Sequence, residues 1–316
     1  MILFRRRSVM FKKKGFLYEL NKNKIMFLMI APTLLFFLIN SYFPMVGIYY
    51  AFTSYDFAGG LFGSPFVGLD NFKFLTQSGI LWKLTINTLG YNVVFIILGN
   101  VISIGAAILL SEVRGKLFKK FTQSIMFLPY FVSFVLISVL AFNMFNVESG
   151  FVNQVLTSFG FDPVDIYNTP WVWPILITVF YIWKNLGYSM VIYLASIMGI
   201  SDEYYEAAKM DGANIFQRIW HITIPMLKPT FIILLLFALG SIMKGQFDLF
   251  YQLVGNNGTL FNITDIIDTY VYRSLKVNFD IGMATAAGLY QSIFGFVMIM
   301  TVNYIIKKIN EDYALF

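Results

Sequence analysis

Six runs of apolar residues, each long enough to cross a lipid bilayer as a helix, divide this sequence. A transmembrane helix needs about 20 predominantly apolar residues. Charged residues make up only 13% of the chain, far below the share of about 25% in soluble domains. The pattern predicts an all-α polytopic membrane protein with six transmembrane helices, and the short alternating strands of a β-barrel are absent. The predicted spans, the first of them interrupted at Pro32 and Pro44, are 25–52, 84–110, 121–145, 171–200, 230–250 and 283–306.

The distribution of Lys and Arg predicts how these spans are oriented. Residues 1–24 carry eight Lys or Arg and one acidic residue. We interpret them as a basic cytoplasmic tail, because the apolar run that follows is too long for a signal-peptide core. With the N-terminus inside, the inner segments hold seventeen of the 23 basic residues, and the outer loops hold four. By the positive-inside rule, both termini and residues 201–229 are cytoplasmic, and 25–316 form the transmembrane domain.

Residues 201–229 form a strongly polar interruption between the fourth and fifth predicted spans. Ser201 or Asp202 can cap a helix there, and Glu206 adds negative charge near its N-terminus, where the helix dipole favours it. Gly212 readily takes the left-handed conformation that ends a helix. The sequence therefore predicts a helix outside the bilayer that stops at about Gly212.

A second amphipathic helix is expected to begin near Ile215 and to be stopped by Pro225 and Pro229, since proline breaks a helix interior. The two pieces form a predicted helix-turn-helix. Its small side chains would let another backbone come close, and they are Ala207, Ala208 and Ala213.

The string EYYEAAKMDGA at 203–213 is followed by FQ, then HITIP at 221–225, then Pro229. In order and spacing, the segment resembles the EAA loop of binding-protein-dependent ABC importer permeases. In that family the loop is the coupling helix, which docks in a groove of a separate ATPase subunit. A generic interfacial helix would explain the amphipathic period, but not Glu-Ala-Ala, Asp-Gly-Ala and two spaced prolines together. Ile219 departs from the Phe that is frequent in the family.

Two other stretches resemble the same family. APTLLFF at 31–37 precedes Phe43-Pro44, and FVGLDNF spans 66–72. The resemblance covers nearly the whole chain, and it is greatest to the oligosaccharide group, which includes maltose-type and lipoprotein-associated polysaccharide permeases.

The resemblance implies a set of partners. They are a second homologous permease, two P-loop ATPase subunits that bind ATP and Mg, and an extracellular solute-binding protein. The implied location is a bacterial cytoplasmic membrane, crossed several times. By the same resemblance, Glu206 anchors the ATPase contact and Gly212 forms its turn. The expected contact residues are Glu203, Glu206, Ala207, Ala208, Asp211, Gly212, Ala213 and Pro225.

The chain itself carries no recognisable catalytic chemistry. It lacks a G-x-x-x-x-G-K-[ST] phosphate loop, cysteine and a metal-ligand cluster, and His221 is its single histidine. We therefore expect no cofactor, metal or catalytic residue on this chain. The net charge of +6 comes from basic residues beside membrane spans, which lipid and topology explain without nucleic acid.

Polar side chains inside spans are costly, and they usually face a bundle interior or a water-filled cavity. Lys184 and Asn185 lie in the fourth predicted span, and Lys244, Gln246 and Asp248 lie in the fifth. They predict a hydrated path for a polar solute, with aromatic rings nearby that can stack on sugars. The candidate path residues are Asn92, Tyr181, Trp183, Lys184, Asn185, Tyr188, Lys244, Gln246 and Asp248.

The sequence leaves the roles of the two lysines inside predicted spans open. Lys184 and Lys244 can contact an acidic, uronate-containing oligosaccharide, pair with an acid such as Asp248, or extend to the interface. Asn87 and Asn92 fit helix–helix hydrogen bonding better than transport. An ion-coupled secondary sugar transporter is the alternative function, although it would not need an EAA loop. A membrane-embedded enzyme would need a catalytic constellation that the sequence lacks.

Overall fold

The computed structural model describes residues 16–309, and these fall in two compact units that divide between Tyr49 and Tyr50. In the first unit, α1 (Phe16–Lys22) precedes α2 (Lys24–Phe37), and no residue of α2 is buried. Most of the predicted basic tail lies outside the described residues. The helix continues through Pro32 into a π turn at Leu38–Tyr42 and a 3-10 helix at Phe43–Phe52. The predicted interruption at Pro32 is therefore wrong.

The second unit consists of helices and connecting loops, and its described residues include a single β-bridge, between Thr53 and Phe66. Its first helices are α3 (Gly60–Gly63), α4 (Asp70–Gln77), α5 (Ile80–Ser111), α6 (Lys116–Phe127), α7 (Phe134–Phe145), α8 (Phe151–Ser158) and α9 (Trp173–Met198). They are followed by α10 (Asp202–Met210), α11 (Ile215–Arg218), α12 (Ile224–Gly240), α13 (Phe247–Val254), α14 (Phe261–Thr264), α15 (Ile267–Lys276) and α16 (Ile281–Ile309).

Five segments within residues 16–309 are long and apolar enough to cross a membrane, and a bent pair of helices makes a possible sixth. This agrees with the predicted all-α, multi-pass class. The five segments are Lys24–Phe52, Ile80–Ser111, Pro170–Met198, Ile215–Gly240 and Ile281–Lys308.

The third predicted span is not one continuous helix. The segments Lys116–Phe131 and Phe134–Phe145 meet at 96°. Pro129 cannot donate a helical hydrogen bond, and Val132 is extended. The side chain of Ser133 then accepts from the backbone N–H of Leu136 and caps α7.

The fifth span also differs from its prediction of 230–250. The helix runs from Ile215 to Gly240 and contains both Pro225 and Pro229, so the prolines do not stop it. A π turn at Ile219–Thr223 precedes Pro225. In an ordinary α-helix the proline ring clashes with the carbonyl four residues before it. The wider π turn shifts the hydrogen-bond register at this point and so accommodates the ring. The predicted helix-turn-helix is therefore α10 followed directly by a long span, and α13 is a separate helix.

The centre of the second unit is the pair α5 and α9, which pack together more extensively than any other described pair of helices. Near α13 their core includes Phe95, Ile177 and Phe250. At the end near α10 the core includes Met190 and Leu227. The two cores hold α5, α9 and α12 side by side, and this arrangement positions the polar groups described next.

Candidate functional site

The segment α10 presents an open helical face. The Ser201 side chain accepts from the Glu203 N–H at 3.4 Å, which confirms Ser201 as the N-cap. The helix contains no buried residue. Glu203, Glu206 and Ala207 are exposed, together with Met210. Their i, i+3, i+4, i+7 spacing places these four side chains on one face.

The end of α10 is a tight glycine turn. Gly212 has a φ of +80°, which a side chain would strain. The N–H of Ala213 donates to the carbonyl of Ala208 at 2.9 Å. Asp211 is exposed beside the turn, whereas Ala208 and Ala213 are half-buried. Predicted contact residue Pro225 lies apart from this face, inside the helix of the fifth span.

One hydrogen bond ties α10 to that span. The hydroxyls of Tyr205 and Thr223 are 3.0 Å apart, and Thr223 is buried in the π turn. Asn214 and Gln217 form a reciprocal capping box between the two helices. These contacts join α10 to the π turn that precedes α12.

A cavity of about 140 Å³ lies between α5, α9 and α12. Three predicted path residues line it, namely Tyr181, Asn185 and Tyr188. Ser103 and Ser189 also line the cavity, although they are not among the path residues predicted from the sequence. A serine inside a span does not by itself indicate a polar path, since its hydroxyl readily forms a hydrogen bond within its own helix.

The rings at this cavity are held by other aromatic rings. Tyr181 stacks on Phe95 with centroids 3.8 Å apart, and Tyr188 stacks on Tyr130 at 5.0 Å. Tyr188 remains 47% exposed. It therefore keeps surface available for a solute, while Tyr181 is packed into the core.

Lys184 does not line this cavity. Its Nζ donates to the backbone carbonyls of Tyr130 at 2.8 Å and Val132 at 2.5 Å, and it lies 4.8 Å from the Phe134 ring centroid. The side chain is 8% exposed. Lys184 thus supplies hydrogen-bond donors to two backbone carbonyls at the bend of the third span. The alternative role, an ion pair with Asp248, is not found among the described residues.

Close packing supports the same bend. A Cβ on Gly187 would lie 2.1 Å from the carbonyl oxygen of Met126 and 2.5 Å from the Cα of Phe127. Only glycine lets α9 approach the end of α6 this closely. Trp183, on the other side of α9, is 39% exposed and does not line the cavity.

Three polar side chains hold the break at residues 241–246. Asn92 donates to the carbonyls of Ile242 at 2.9 Å and Lys244 at 3.2 Å. The Asp268 carboxylate accepts from the Gly245 N–H at 2.7 Å and from Gln291 at 3.0 Å. Burial raises the pKa of Asp268, while these hydrogen bonds and the nearby Lys244 charge oppose the rise.

Asp268 and Gln291 are not among the residues predicted from the sequence, because their partners are distant in sequence. Asn92 acts here as a helix–helix contact, in agreement with the expectation for the asparagines. Lys244 is exposed and lines a second cavity of about 370 Å³ with Asp268 and Gln291. Gln246 and Asp248 flank the start of α13, outside both cavities.

Comparison with known proteins identifies the family. Residues 99–311 match the family described as the binding-protein-dependent transport system inner membrane component. The chain belongs to this family. It is 35% identical over 309 residues to the polygalacturonan/rhamnogalacturonan transport system permease protein YteP of Bacillus subtilis (strain 168), covering 96% of this chain and 95% of that protein. Protein LplB of the same organism is 33% identical, with coverage of 93% and 92%.

A solved structure has the same fold. It is the crystal structure of a bacterial ABC transporter involved in the import of the acidic polysaccharide alginate. The TM-score is 0.84 at 31% identity, and the match covers 93% of this chain and 99% of that chain. The family relationship establishes the chain as a permease subunit of an ABC importer for oligosaccharides. The EAA motif and coupling helix are typical of this family.

Proposed function

We propose that this chain is the membrane permease of an ATP-driven importer that carries acidic, uronate-containing oligosaccharides across a bacterial cytoplasmic membrane. The observation that carries the proposal is the continuous connection between two sites. The exposed face of α10 adjoins a helix from Ile215 to Gly240, and that helix borders both polar cavities. A displacement of α10 would thus be transmitted through this helix to the solute path.

In this proposal both termini and α10 lie in the cytoplasm, and residues 1–24 form the tail. Glu203, Glu206 and Ala207 contact an ATPase that binds ATP and Mg, and Gly212 maintains the turn. A second permease, a second ATPase and an extracellular solute-binding protein complete the importer. A crystal structure of a related bacterial alginate ABC transporter, in complex with an alginate pentasaccharide-bound periplasmic protein, supports the solute-binding protein as a partner.

The acidic substrate is supported by two named relatives, whose names refer to polygalacturonan and to alginate. Lys184 does not support it, since its Nζ is engaged by two carbonyls. Lys244 is exposed at a cavity and is the cation that we assign to a uronate carboxylate. Tyr188 supplies a partly exposed ring for the sugar face.

The test is uptake by the reconstituted importer with trigalacturonate and maltotriose as probes. Wild type should accumulate trigalacturonate only with ATP. Glu206→Lys should insert normally but uncouple ATP hydrolysis from uptake, because it reverses charge at the proposed contact. Normal uptake by Glu206→Lys would contradict the coupling assignment. Wild-type uptake without ATP would instead favour the ion-coupled carrier, which the family match does not support.

A further inference from the structure

The helix α13 has two chemically different faces. Leu249, Phe250, Leu253 and Val254 are buried in the core. The other face carries Phe247, Asp248, Tyr251 and Gln252, of which Asp248 is exposed and the others are half-buried. The buried face explains why the helix forms at this place. It does not explain the rings and polar groups on the opposite face.

Three rings pack together at that face as a tilted cluster, which we call the platform; the Tyr272 ring is inclined by 48° to Phe247 and by 61° to Tyr251. Phe247 and Tyr251 are stacked, with centroids 5.3 Å apart and planes 14° apart. Tyr272 of α15 contacts both, at 5.0 Å and 4.7 Å. A hydrogen bond with the Tyr272 side chain, together with burial, raises the pKa of Tyr251. The Tyr251 hydroxyl therefore stays protonated.

The polar surroundings distinguish this platform from a lipid-facing aromatic belt. Asp248 and Gln252 adjoin the rings along α13, and Lys276 lies one turn from Tyr272 on α15, where i, i+4 side chains share a face. Belt residues present apolar ring surface to lipid. Trp171 fits that role, since it is 69% exposed next to the apolar start of the fourth span.

The platform lies at the end of the fifth span farthest from α10. A helix rises 1.5 Å per residue, so the 26-residue segment Ile215–Gly240 separates the two by about 39 Å. Phe247 lies three residues after Lys244, and Lys244 lines the cavity of about 370 Å³. A solute on the rings would therefore be next to the polar cavity.

We propose that Phe247, Tyr251 and Tyr272 form an entry subsite that stacks on a sugar ring of a uronate-containing oligosaccharide, with Asp248 and Gln252 bonding its hydroxyls and Lys276 its carboxylate. The inference rests on the proposed function. Sugar rings have apolar faces of C–H groups with partial positive charge, and these are attracted to the negative faces of aromatic rings. The platform would receive the oligosaccharide before it meets Lys244.

Saturation-transfer NMR on the full chain in nanodiscs tests the subsite directly, with trigalacturonate and maltotriose as probes. Tyr251→Ala with Tyr272→Ala should weaken binding of both sugars about tenfold, which corresponds to about 1.4 kcal/mol. Tyr251→Phe with Tyr272→Phe should retain most of the binding, because the rings remain. Lys276→Gln should weaken trigalacturonate alone, because maltotriose carries no carboxylate.

Trp171→Ala is the matched control. It removes an exposed ring at the same end of the spans, the end farthest from α10, and leaves the platform intact. An equal loss in Trp171→Ala, no loss in the double Ala variant, or no saturation transfer in wild type would overturn the subsite. Uptake by the reconstituted wild-type importer separates the two proposals. Failed wild-type uptake contradicts the proposed function, whereas normal uptake with unaltered binding by the Ala variant contradicts the subsite alone.

Discussion

Lys184→Met separates a structural role of this lysine from a role in recognising a charged sugar. In the structure, Lys184 Nζ satisfies the carbonyls of Tyr130 and Val132 at the bend of the third span. Methionine keeps the length and apolar stem of the side chain but removes both donors. Leaving a fully buried acceptor unsatisfied costs about 1–3 kcal/mol. Both carbonyls here are part-buried, so the variant should lose roughly 1–3 kcal/mol of stability in total.

The assay combines thermal unfolding in detergent with uptake of trigalacturonate and maltotriose. Lys184→Met should unfold at a lower temperature and should reduce uptake of both sugars by the same factor, because the defect is in the bend. Lys244→Met is the control. Its lysine is exposed at a cavity, so it should keep wild-type stability and lose trigalacturonate uptake selectively. This reasoning would be refuted if Lys184→Met unfolded at the same temperature as wild type and selectively lost trigalacturonate uptake.

Two other substitutions test the packing and the charge of the second unit. Gly187→Ala should destabilise the fold by about 1–3 kcal/mol or more through overpacking, because its Cβ would lie 2.1 Å from a carbonyl oxygen, whereas Gly99→Ala meets nothing within 4 Å and should unfold like wild type. Equal unfolding temperatures for both would contradict the close approach. Burial raises the pKa of Asp268 above its ordinary value of 3.8, so its folded state binds a proton more readily than its unfolded state. The stability of wild type relative to Asp268→Asn should therefore rise as pH falls through the raised pKa. A pH-independent difference in unfolding temperature between these two proteins would contradict it.

Local rules recovered the start and end of α10. Ser201 accepts a hydrogen bond from the Glu203 N–H, and Gly212 is left-handed, as the sequence predicted. Both features depend on residues within a few positions of each other. The same local rules failed at Pro225, which lies inside a continuous helix. A π turn accommodates it there, and turn type depends on the packing around the helix as well as on the proline.

The roles of individual polar groups were less predictable. Lys184 was assigned to the path because a lysine inside a span is costly. Polarity alone does not show whether its partner is a solute, an acid or a carbonyl. Its actual partners, Tyr130 and Val132, lie more than fifty positions away. Asp268 was not assigned to the site at all, because its contact with Gly245 depends on how α15 packs beside the break.

By itself, the sequence determined the helical multi-pass class and the permease family. Apolar run length is set by bilayer thickness, and the 203–229 motif is contiguous, so neither requires knowledge of tertiary contacts. Only the tertiary structure decided the bend of the third span, the extent of the fifth and the partners of Lys184 and Asp268. These features depend on contacts between segments distant in sequence, such as Lys184 and Gly187 of α9 against the bend and Asp268 of α15 against the break at 241–246, which no local pattern in one helix specifies.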